Sequence, residues 1–277
     1  MNIGTEFVWK TSGTTRKNSF LLPRSIRGLL IGKSGGGKTT LLTFLLLNPN
    51  TLDYDNIIVR GKSLQQPEYK VLKASLEKGL SKEQIRVLFQ RQSEVDAQGG
   101  IEKVLQDYQG HCPRNITCDF SSDVTNIPDP SHLCAAKKNL LILDDLMLGP
   151  QNNIEQYFCR GRHQNVDCLY ITQSYFRLPR NTIRENSNIF FIFPQDSKNL
   201  SHIYRDLCAT DGIDYHTFQN FCTTVWRQPY AFVTVDLSKP YDLGKYRKNL
   251  SEYWSPKYDR LCQYQADHPP DPESKEV

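Results

Sequence analysis

The sequence lacks any run of about 18 or more uncharged apolar residues, the length that a membrane-spanning helix requires. The segment Met1–Lys10 also lacks the apolar core of a signal peptide, so we expect the protein to stay on the reducing side of the membrane. We find no internal repeat and no long low-complexity run. These absences argue against a membrane partner and a repeat architecture, and leave an ordinary globular chain.

Several nucleotide-binding patterns are missing as well. The sequence has no NKxD motif for guanine, which argues against a GTPase. It has no LSGGQ-like signature, which argues against a transporter ATPase, and no GxGxxG spacing, which argues against a dinucleotide site. A nucleotide site in this chain must therefore be of another kind.

Cysteine and charge are uninformative about function. None of the eight cysteines forms a CxxC pair. A zinc site can be imagined, but its spacing is not diagnostic and free thiols are the simpler interpretation; the four residues concerned are His111, Cys112, Cys118 and Cys134. A net charge of +4 permits a nucleic-acid partner without requiring one.

Short apolar strands alternate with helical segments along the chain, which predicts an α/β fold with a mainly parallel sheet covered by helices on both faces. The predicted strands are Ser25–Ile31, Asn56–Val59, Asn139–Leu143, Val166–Thr172, Asn188–Phe193 and Tyr230–Val235. The predicted helices are Lys38–Leu47, Pro67–Leu80, Ser81–Arg91, Gly100–Tyr108, Asn153–Arg160, Ser197–Cys208 and Tyr215–Val225. We expect an N-terminal arm over residues 1–24, one domain over 25–256, irregular structure over 111–136 and a disordered tail over 257–277.

The most informative segment follows the first predicted strand and has the pattern GxxxxGK[ST]. Its glycines let the backbone curl around an anion and point several N–H groups inward, and the next helix adds its positive end. We expect the lysine to reach the β- and γ-phosphates and the threonine hydroxyl to ligate Mg²⁺. The predicted ATP-binding residues are Gly32, Lys33, Ser34, Gly35, Gly36, Gly37, Lys38, Thr39 and Thr40. This segment predicts a P-loop NTPase.

A second signal is the carboxylate pair Asp144 and Asp145, which follows four apolar residues of a predicted strand. A buried strand can deliver Asp144 to the magnesium shell, and Asp145 can polarise the attacking water. A third signal is Gln173, which ends the next strand and could sense the γ-phosphate. Ligands of open α/β sheets bind at the carboxyl ends of the strands, so Gly32, Asp144 and Gln173 should meet at one edge.

Five segments together resemble the genome-packaging ATPases of the FtsK–HerA superfamily, in particular the poxvirus-type enzymes of large DNA viruses and of Polinton/adintovirus-like elements. They are GKSGGGKTT, LLILDD, RGRHQN, ITQS and LPRNTIREN. The resemblance spans roughly Ile26 to Phe193. It implies a RecA-like ASCE ATPase that moves double-stranded DNA into a capsid as a homo-oligomeric ring, with a capsid or nuclease partner.

By the same resemblance, Lys38 and Thr39 are the Walker A residues, Asp144 and Asp145 the Walker B pair, and Gln173 the sensor. Many members of the superfamily carry Asp-Glu where this chain has Asp-Asp, which makes the role of Asp145 as the base less secure. A ring also requires an arginine from the neighbouring subunit to offset charge on the γ-oxygens. The candidates, in order, are Arg162 and Arg160, with Arg180 and Arg184 as alternatives.

DNA contacts of a packaging motor should go to the phosphate backbone, because such a motor must ignore sequence. The basic residues that suit this role are Arg177, Arg180, Arg184, Lys245, Arg247 and Lys248. An ordinary exposed segment is an alternative interpretation of residues 241–248, where these cations mix with tyrosines.

Other functions remain open on the sequence. A HerA-like cellular helicase or DNA-transfer ATPase would unwind strands beside a nuclease partner. A non-catalytic nucleotide switch would bind ATP without turnover, and a small-molecule kinase would hydrolyse it without regard to DNA. The location expected for a packaging enzyme is intracellular, in the host nucleus, a cytoplasmic virus factory or the virion.

Overall fold

The computed structural model describes residues 18–48, 51–78, 116–123, 125–147, 149, 151–256 and 260–263. Five α-helices in these ranges are α1 (Lys38–Leu47), α2 (Pro67–Lys78), α3 (Asn152–Arg160), α4 (Ser197–Leu207) and α5 (Tyr215–Val225). The strands are β1 (Arg27–Ile31), β2 (Asn56–Gly61), β3 (Thr117–Ser121), β4 (Asn139–Asp144), β5 (Val166–Thr172), β6 (Ile189–Ile192), β7 (Val233–Asp236), β8 (Tyr246–Lys248), β9 (Glu252–Ser255) and β10 (Arg260–Gln263).

All ten described strands form one sheet in the order β10-β9-β8-β7-β6-β1-β5-β4-β2-β3. The six strands from β6 to β3 run parallel, and β7 to β10 extend the sheet in antiparallel fashion. Strand β5 lies between β1 and β4. This inserted strand is the arrangement of the ASCE class, so the predicted P-loop fold is confirmed.

Two apolar cores lie on opposite faces of the sheet because successive strand residues point to opposite sides. Leu30, Leu140 and Ile142 pack with the leucines of α1 and with α2 on one face. Their strand neighbours Leu29 and Leu141 belong to the other core, together with side chains of α3, α4 and α5. The near-continuous apolar composition of the parallel strands follows from this double burial.

The predicted elements from Ser25 to Val225 are confirmed with small shifts at their ends, except in two regions. Strand β3 falls in the range 111–136 that was predicted to be irregular. Its polar edge sequence, TCDFS, gives no apolar run from which a strand could be inferred. The predicted helices Ser81–Arg91 and Gly100–Tyr108 lie outside the described residues.

The C-terminal part of the sheet was missed by the sequence analysis. Strand β8 falls within residues 241–248, for which an exposed segment was one interpretation. Strand β9 lies where no element was predicted, and β10 falls inside the predicted disordered tail. These strands are three or four residues long, which is too short for a period-2 pattern to stand out. Residues 18–24 of the predicted arm include Leu22, which is buried in the core beside α1.

Candidate nucleotide site

The glycine-rich loop connects β1 to α1 at the carboxyl edge of the parallel strands. Its first residue, Gly32, donates its N–H to the carbonyl of Thr172 at the end of β5, 3.0 Å away. Gly35 and Gly37 have φ values of 73° and 97°, a left-handed conformation that favours glycine. Gly37 is the N-cap of α1 and has no side chain, so no side-chain hydrogen bond caps the first N–H groups of the helix. The loop thus has the backbone form of an anion cradle.

The loop packs tightly on Phe193. A β-carbon built on Gly32 would lie 2.7 Å from Cβ of Phe193, closer than side-chain atoms approach. At Gly37 the same atom would lie 3.4 Å from Phe193 Cε1 and 3.4 Å from Tyr230 Cδ1. Gly32 must therefore be a glycine because Phe193 leaves no room for a side chain. Gly37 must be a glycine because its φ is positive.

Lys38, the first residue of α1, is only 9% exposed. Its ammonium donates hydrogen bonds to the carbonyl oxygens of Gly32 at 2.6 Å and of Lys33 at 2.8 Å. Burial lowers the pKa of Lys38, and the carboxylates of Asp144 and Asp145 oppose this shift. The Lys38 charge is thus held within the loop and faces the acidic pair.

The acidic pair occupies the end of β4. Asp144 is the last residue of the strand and pairs in register with Gly61 of β2 and Ile171 of β5. Asp145 follows with φ 53°, and its N–H bonds to the carbonyl of Ile171 at 3.0 Å. A left-handed aspartate directly after a buried strand redirects the chain, so Asp145 is exposed while Asp144 remains partly buried.

Tyr69 of α2 is a member of the site that the sequence did not reveal. Its hydroxyl donates a 2.8 Å hydrogen bond to Oδ2 of Asp144, and it also forms a side-chain hydrogen bond with Thr39. Burial raises the pKa of Asp144, and the Tyr69 hydrogen bond opposes the rise. Burial also raises the pKa of Tyr69, which stays a neutral donor. Tyr69 therefore joins both predicted magnesium ligands, although in sequence it is one apolar position of an amphipathic helix.

Gln173 lies immediately after β5, between the loop and the acidic pair. Its Nε2 donates a 2.8 Å hydrogen bond to Oδ2 of Asp145. Both side chains are exposed at the sheet edge, whereas Thr172 before them is buried. The structure thus brings together the cradle, the acidic pair and Gln173 at the carboxyl edge of the parallel strands, where they were predicted to meet.

The residues around Asp144 suit Mg²⁺. Among the described residues, no group of three or more His, Cys, Asp or Glu side chains could enclose a metal by itself. Mg²⁺ is usually held by one or two carboxylates together with phosphates and waters, so a single buried carboxylate beside a threonine hydroxyl fits it. Burial raises the pKa of Asp144, so a cation bound beside it would favour its charged form.

For the imagined zinc site, His111 and Cys112 lie outside the described residues. The other two cysteines are separated in the fold: Cys118 lies on the edge strand β3, and exposed Cys134 lies in the loop before β4. The zinc interpretation stays a hypothesis without support from the described part.

Arg160 and Arg162 lie far from the cradle of their own chain. Arg160 ends α3 and Arg162 lies in the 3-10 turn Gly161–Gln164, just before β5 begins. Because Gln173 follows the other end of this seven-residue strand, about 20 Å separate the two ends. Both arginines are exposed, and neither can reach the cradle of its own chain.

The alternative arginines have partners in the fold. Arg184 pairs with Asp206 of α4 at 2.7 Å, packs over the ring of Tyr175 and is nearly buried. The fold thus uses the charge of Arg184 internally, which makes Arg184 a poorer candidate than Arg180 for donation in trans or for DNA contact. Arg180 forms an exposed ion pair with Glu185 at 3.1 Å, which solvent screens, so it stays open to another partner.

Three of the residues predicted to contact DNA form ion pairs within the fold. Arg247 and Asp236 are both 0% exposed and lie 3.1 Å apart. Lys245 pairs with Asp211 at 2.6 Å and Lys248 with Glu252 at 3.2 Å. The prediction that Lys245, Arg247 and Lys248 contact DNA is wrong for Lys245 and Arg247, and Lys248 is largely buried in its pair. The sequence shows the positive charge of these residues but not the carboxylate that the fold brings beside each of them.

No helix in the described ranges is both long and apolar enough to cross a bilayer. Scans against protein-family models and against curated proteins found no match. Among solved structures, the chain is similar to the genome packaging NTPase B204 of Sulfolobus turreted icosahedral virus 2 in complex with ATP-gammaS. That match has 13% identity and a TM-score of 0.44, and it covers 77% of this chain and 93% of that chain.

The B204 DNA-packaging ATPase of Sulfolobus turreted icosahedral virus matches with 13% identity, a TM-score of 0.43 and coverage of 87% of this chain and 97% of that chain. VirB4 of Thermoanaerobacter pseudethanolicus matches with 11% identity, a TM-score of 0.42 and coverage of 77% and 87%. B204 is of the class that the sequence motifs resemble. Since these TM-scores are below 0.5, the assignment of the P-loop fold rests on the strand order and loop of this chain.

Proposed function

We propose that this protein is a Mg²⁺-dependent ATPase that moves double-stranded DNA, and that it packages the genome of a virus or virus-like element. The observation that carries the ATPase part is the meeting of Lys38, Asp144, Asp145 and Gln173 at the ends of three adjacent strands. Phosphoryl transfer to water requires a cation, a metal-binding carboxylate, a base and a polar sensor. These four residues supply them in that order.

In this site the loop N–H groups and Lys38 hold the phosphates, and Asp144 and Thr39 would hold Mg²⁺. When bound there, Mg²⁺ would supply positive charge that offsets the negative charge developing on the phosphates. Asp145 accepts a proton from water as the water oxygen bonds to the γ-phosphorus. The bond from that phosphorus to the β,γ-bridging oxygen breaks, and ADP and inorganic phosphate leave. The Gln173 amide, which donates to Asp145, orients the carboxylate.

An exposed cluster that we call the Phe176 patch supports DNA as the partner. Phe176 is 40% exposed, and its ring stacks on His202 with centroids 5.2 Å apart. The ammonium of Lys198 lies 4.5 Å from the Phe176 ring centroid. Lys198, His202 and Arg205 share one face of α4 by their spacing of four and three residues. The patch consists of Phe176, Arg177, Lys198, His202 and Arg205.

The cations of this patch differ from those that the fold uses internally. Among the described residues, no ion pair involves Arg177, Lys198 or Arg205. Three exposed cations without a carboxylate partner complement a row of phosphates, to which they would bind irrespective of sequence. Of the DNA contacts predicted from sequence, Arg177 is therefore the one that we retain first.

The patch is connected to the nucleotide site by a short path. The Asn199 side-chain oxygen accepts hydrogen bonds from the Ser174 hydroxyl at 3.3 Å and from the Phe176 N–H at 3.4 Å. Ser174 directly follows Gln173, which contacts Asp145. A change at the γ-phosphate would thus reach Phe176 of the patch through Gln173, Ser174 and the side chain of Asn199. This path gives ATP hydrolysis a physical route to a DNA-binding surface.

We further propose a homo-oligomeric ring in which Arg162, or Arg160, enters the site of a neighbouring subunit. The position of both arginines at the opposite edge of the sheet suits donation in trans. We also propose that the enzyme binds a capsid or nuclease partner. Its location would be the place where the genome is packaged, which is the host nucleus, a cytoplasmic virus factory or the virion.

The first test is steady-state ATPase activity with and without long duplex DNA over a salt series, with Lys38→Ala as the blank. We expect DNA to stimulate turnover, the stimulation to fade with salt, and Lys38→Ala to abolish both. An ATP turnover rate that does not change with DNA would contradict the proposed DNA motor and favour an ATPase that acts on another substrate. Tight ATP binding without turnover, with or without DNA, would favour a nucleotide switch.

A triple variant tests the patch: Arg177→Gln, Lys198→Gln and Arg205→Gln. We expect the slope of log K against log salt for duplex binding to shrink by about 0.9 for each phosphate contact removed. The matched control removes three exposed cations elsewhere, with Arg24→Gln, Lys73→Gln and Lys137→Gln. An equal loss of DNA binding in both triple variants would mean that net charge, rather than the patch, attracts DNA.

A further inference from the structure

Tyr230 is an exposed aromatic residue that lies against the phosphate loop. It is 67% exposed, the most exposed of the large hydrophobic side chains in the described ranges. A β-carbon built on Gly37 would lie 3.4 Å from its Cδ1 and 3.6 Å from its Cβ. Because Gly37 is the N-cap of α1, the ring lies beside the point where the cradle opens.

The backbone at Tyr230 is unfavourable for its side chain. Tyr230 is the third residue of a tight turn in which the N–H of Ala231 bonds to the carbonyl of Gln228 at 3.2 Å. Its φ is 61°, a left-handed value that turns normally assign to glycine or asparagine. For a bulky residue such a φ is a genuine outlier, and the exposed ring recovers no stability through burial. Outliers of this kind mark functional positions.

The residues after Tyr230 fix it in place. Phe232 is buried, and its ring lies 5.3 Å from that of Phe193, the residue beneath the loop. The backbone of Phe232 accepts from the Asn249 N–H at 2.8 Å and donates to the Asn249 side chain at 3.2 Å. The aromatic ring of Tyr230 is therefore presented from a rigid platform that is shared with the cradle.

We propose that Tyr230 forms the nucleobase subsite and stacks on the base of the nucleotide whose phosphates occupy the loop. This inference rests on the proposed binding of a nucleoside triphosphate. If the phosphates bind at the N-terminus of α1, Tyr230, which borders Gly37 there, lies beside them and can contact the base of the same nucleotide. A neutral exposed ring offers an anion little but offers a base a flat π-surface. The loop thus holds the phosphates and Tyr230 holds the base.

The test compares ATP with tripolyphosphate, which has the phosphates but no base, by calorimetry on the full chain with Mg²⁺. Tyr230→Ala should weaken ATP binding about 5- to 150-fold, the range typical for loss of one base–aromatic stack. It should leave tripolyphosphate binding unchanged, whereas Lys38→Ala weakens both. Tyr230→Phe keeps the ring and should bind ATP like the wild type. Tyr241→Ala, at another exposed tyrosine, is the matched control.

Tyr230→Gly separates the subsite from a structural role. Glycine suits the left-handed φ, so this variant should melt at a higher temperature than Tyr230→Ala while it loses ATP affinity equally. Equal weakening of ATP and tripolyphosphate would show that Tyr230 only supports the loop, and would overturn the subsite. Unchanged ATP binding in Tyr230→Ala would overturn it too, as would a wild-type protein that binds ATP no more tightly than tripolyphosphate. Base-dependent binding without ATP turnover would sustain the subsite and contradict only the ATPase.

Discussion

The hydroxyl of Tyr69 donates a 2.8 Å hydrogen bond to Oδ2 of Asp144. Through this bond, helix α2 on one face of the sheet fixes the carboxylate at the end of β4. The same hydroxyl is linked to Thr39, so one buried phenol positions both predicted magnesium ligands. Tyr69 touches no reacting atom, and its contribution to catalysis would be one of positioning.

We expect Tyr69→Phe to lower kcat about 3- to 10-fold, the worth of one hydrogen bond. The Tyr69 bond lowers the pKa of Asp144, so its loss should raise that pKa further. More Asp144 is then protonated at a given acidic pH, and the acid limb of the pH–rate profile should move to higher pH. Tyr157→Phe, at another buried tyrosine whose hydroxyl bonds to Pro128, is the control. An acid limb that moves equally in both variants would contradict the positioning role.

Asp144→Asn should abolish turnover yet stabilise the nucleotide-free protein. Burial raises the pKa of Asp144 above its value in the unfolded chain. Between these two values the folded state binds more protons, so the free energy of unfolding falls as the pH rises through this window. The variant should therefore melt above the wild type at pH 7, and the difference should shrink as the pH falls.

The two melting temperatures should converge below about pH 3, where Asp144 is protonated in the folded and unfolded states alike. Thermal melts over a pH series measure this convergence. A variant no more stable than the wild type at pH 7 would refute the prediction.

Asp145 and Gln173 should act as one unit. We expect Asp145→Asn to reduce kcat by about 10²- to 10⁴-fold, the usual worth of a general base. Gln173→Ala should reduce kcat with little change in ATP affinity, because the amide contacts Asp145. In the double variant the second change should add little, since groups that act together are not additive. Additive losses in single-turnover rates would instead give Gln173 a role independent of Asp145.

Arg247 should support stability rather than DNA binding. Arg247→Ala leaves Asp236 buried without its cation, and such a change destabilises a protein by about 3–5 kcal/mol. Arg177→Ala at the surface should change the free energy of unfolding by less than about 0.5 kcal/mol. Urea denaturation of both variants measures the difference. If Arg247→Ala unfolded like the wild type but lost affinity for DNA, the original sequence-based interpretation of Arg247 would be restored.

The strands at the centre of the sheet could be predicted from sequence because burial on both faces leaves a continuous apolar run, as in Leu140–Leu143. The phosphate loop could be predicted because its glycines are required by backbone geometry. Strands β3 and β8–β10 could not, because short edge strands with mixed polar residues carry no such run. The described structure leaves the limits of the N-terminal arm and of the tail as predictions.

The sequence by itself determined the local chemistry of this protein: the glycines and Lys38 of the loop, the carboxylates after β4 and the amide after β5. Each of these is set by neighbours within a few residues. Only the tertiary structure decided which charges are used internally, such as Arg247 against Asp236, and which distant side chains lie beside the loop and the acidic pair, such as Tyr69 and Tyr230. The reason is that a side chain's partner depends on strand pairing and helix packing over tens of residues, which leave no local pattern in the sequence.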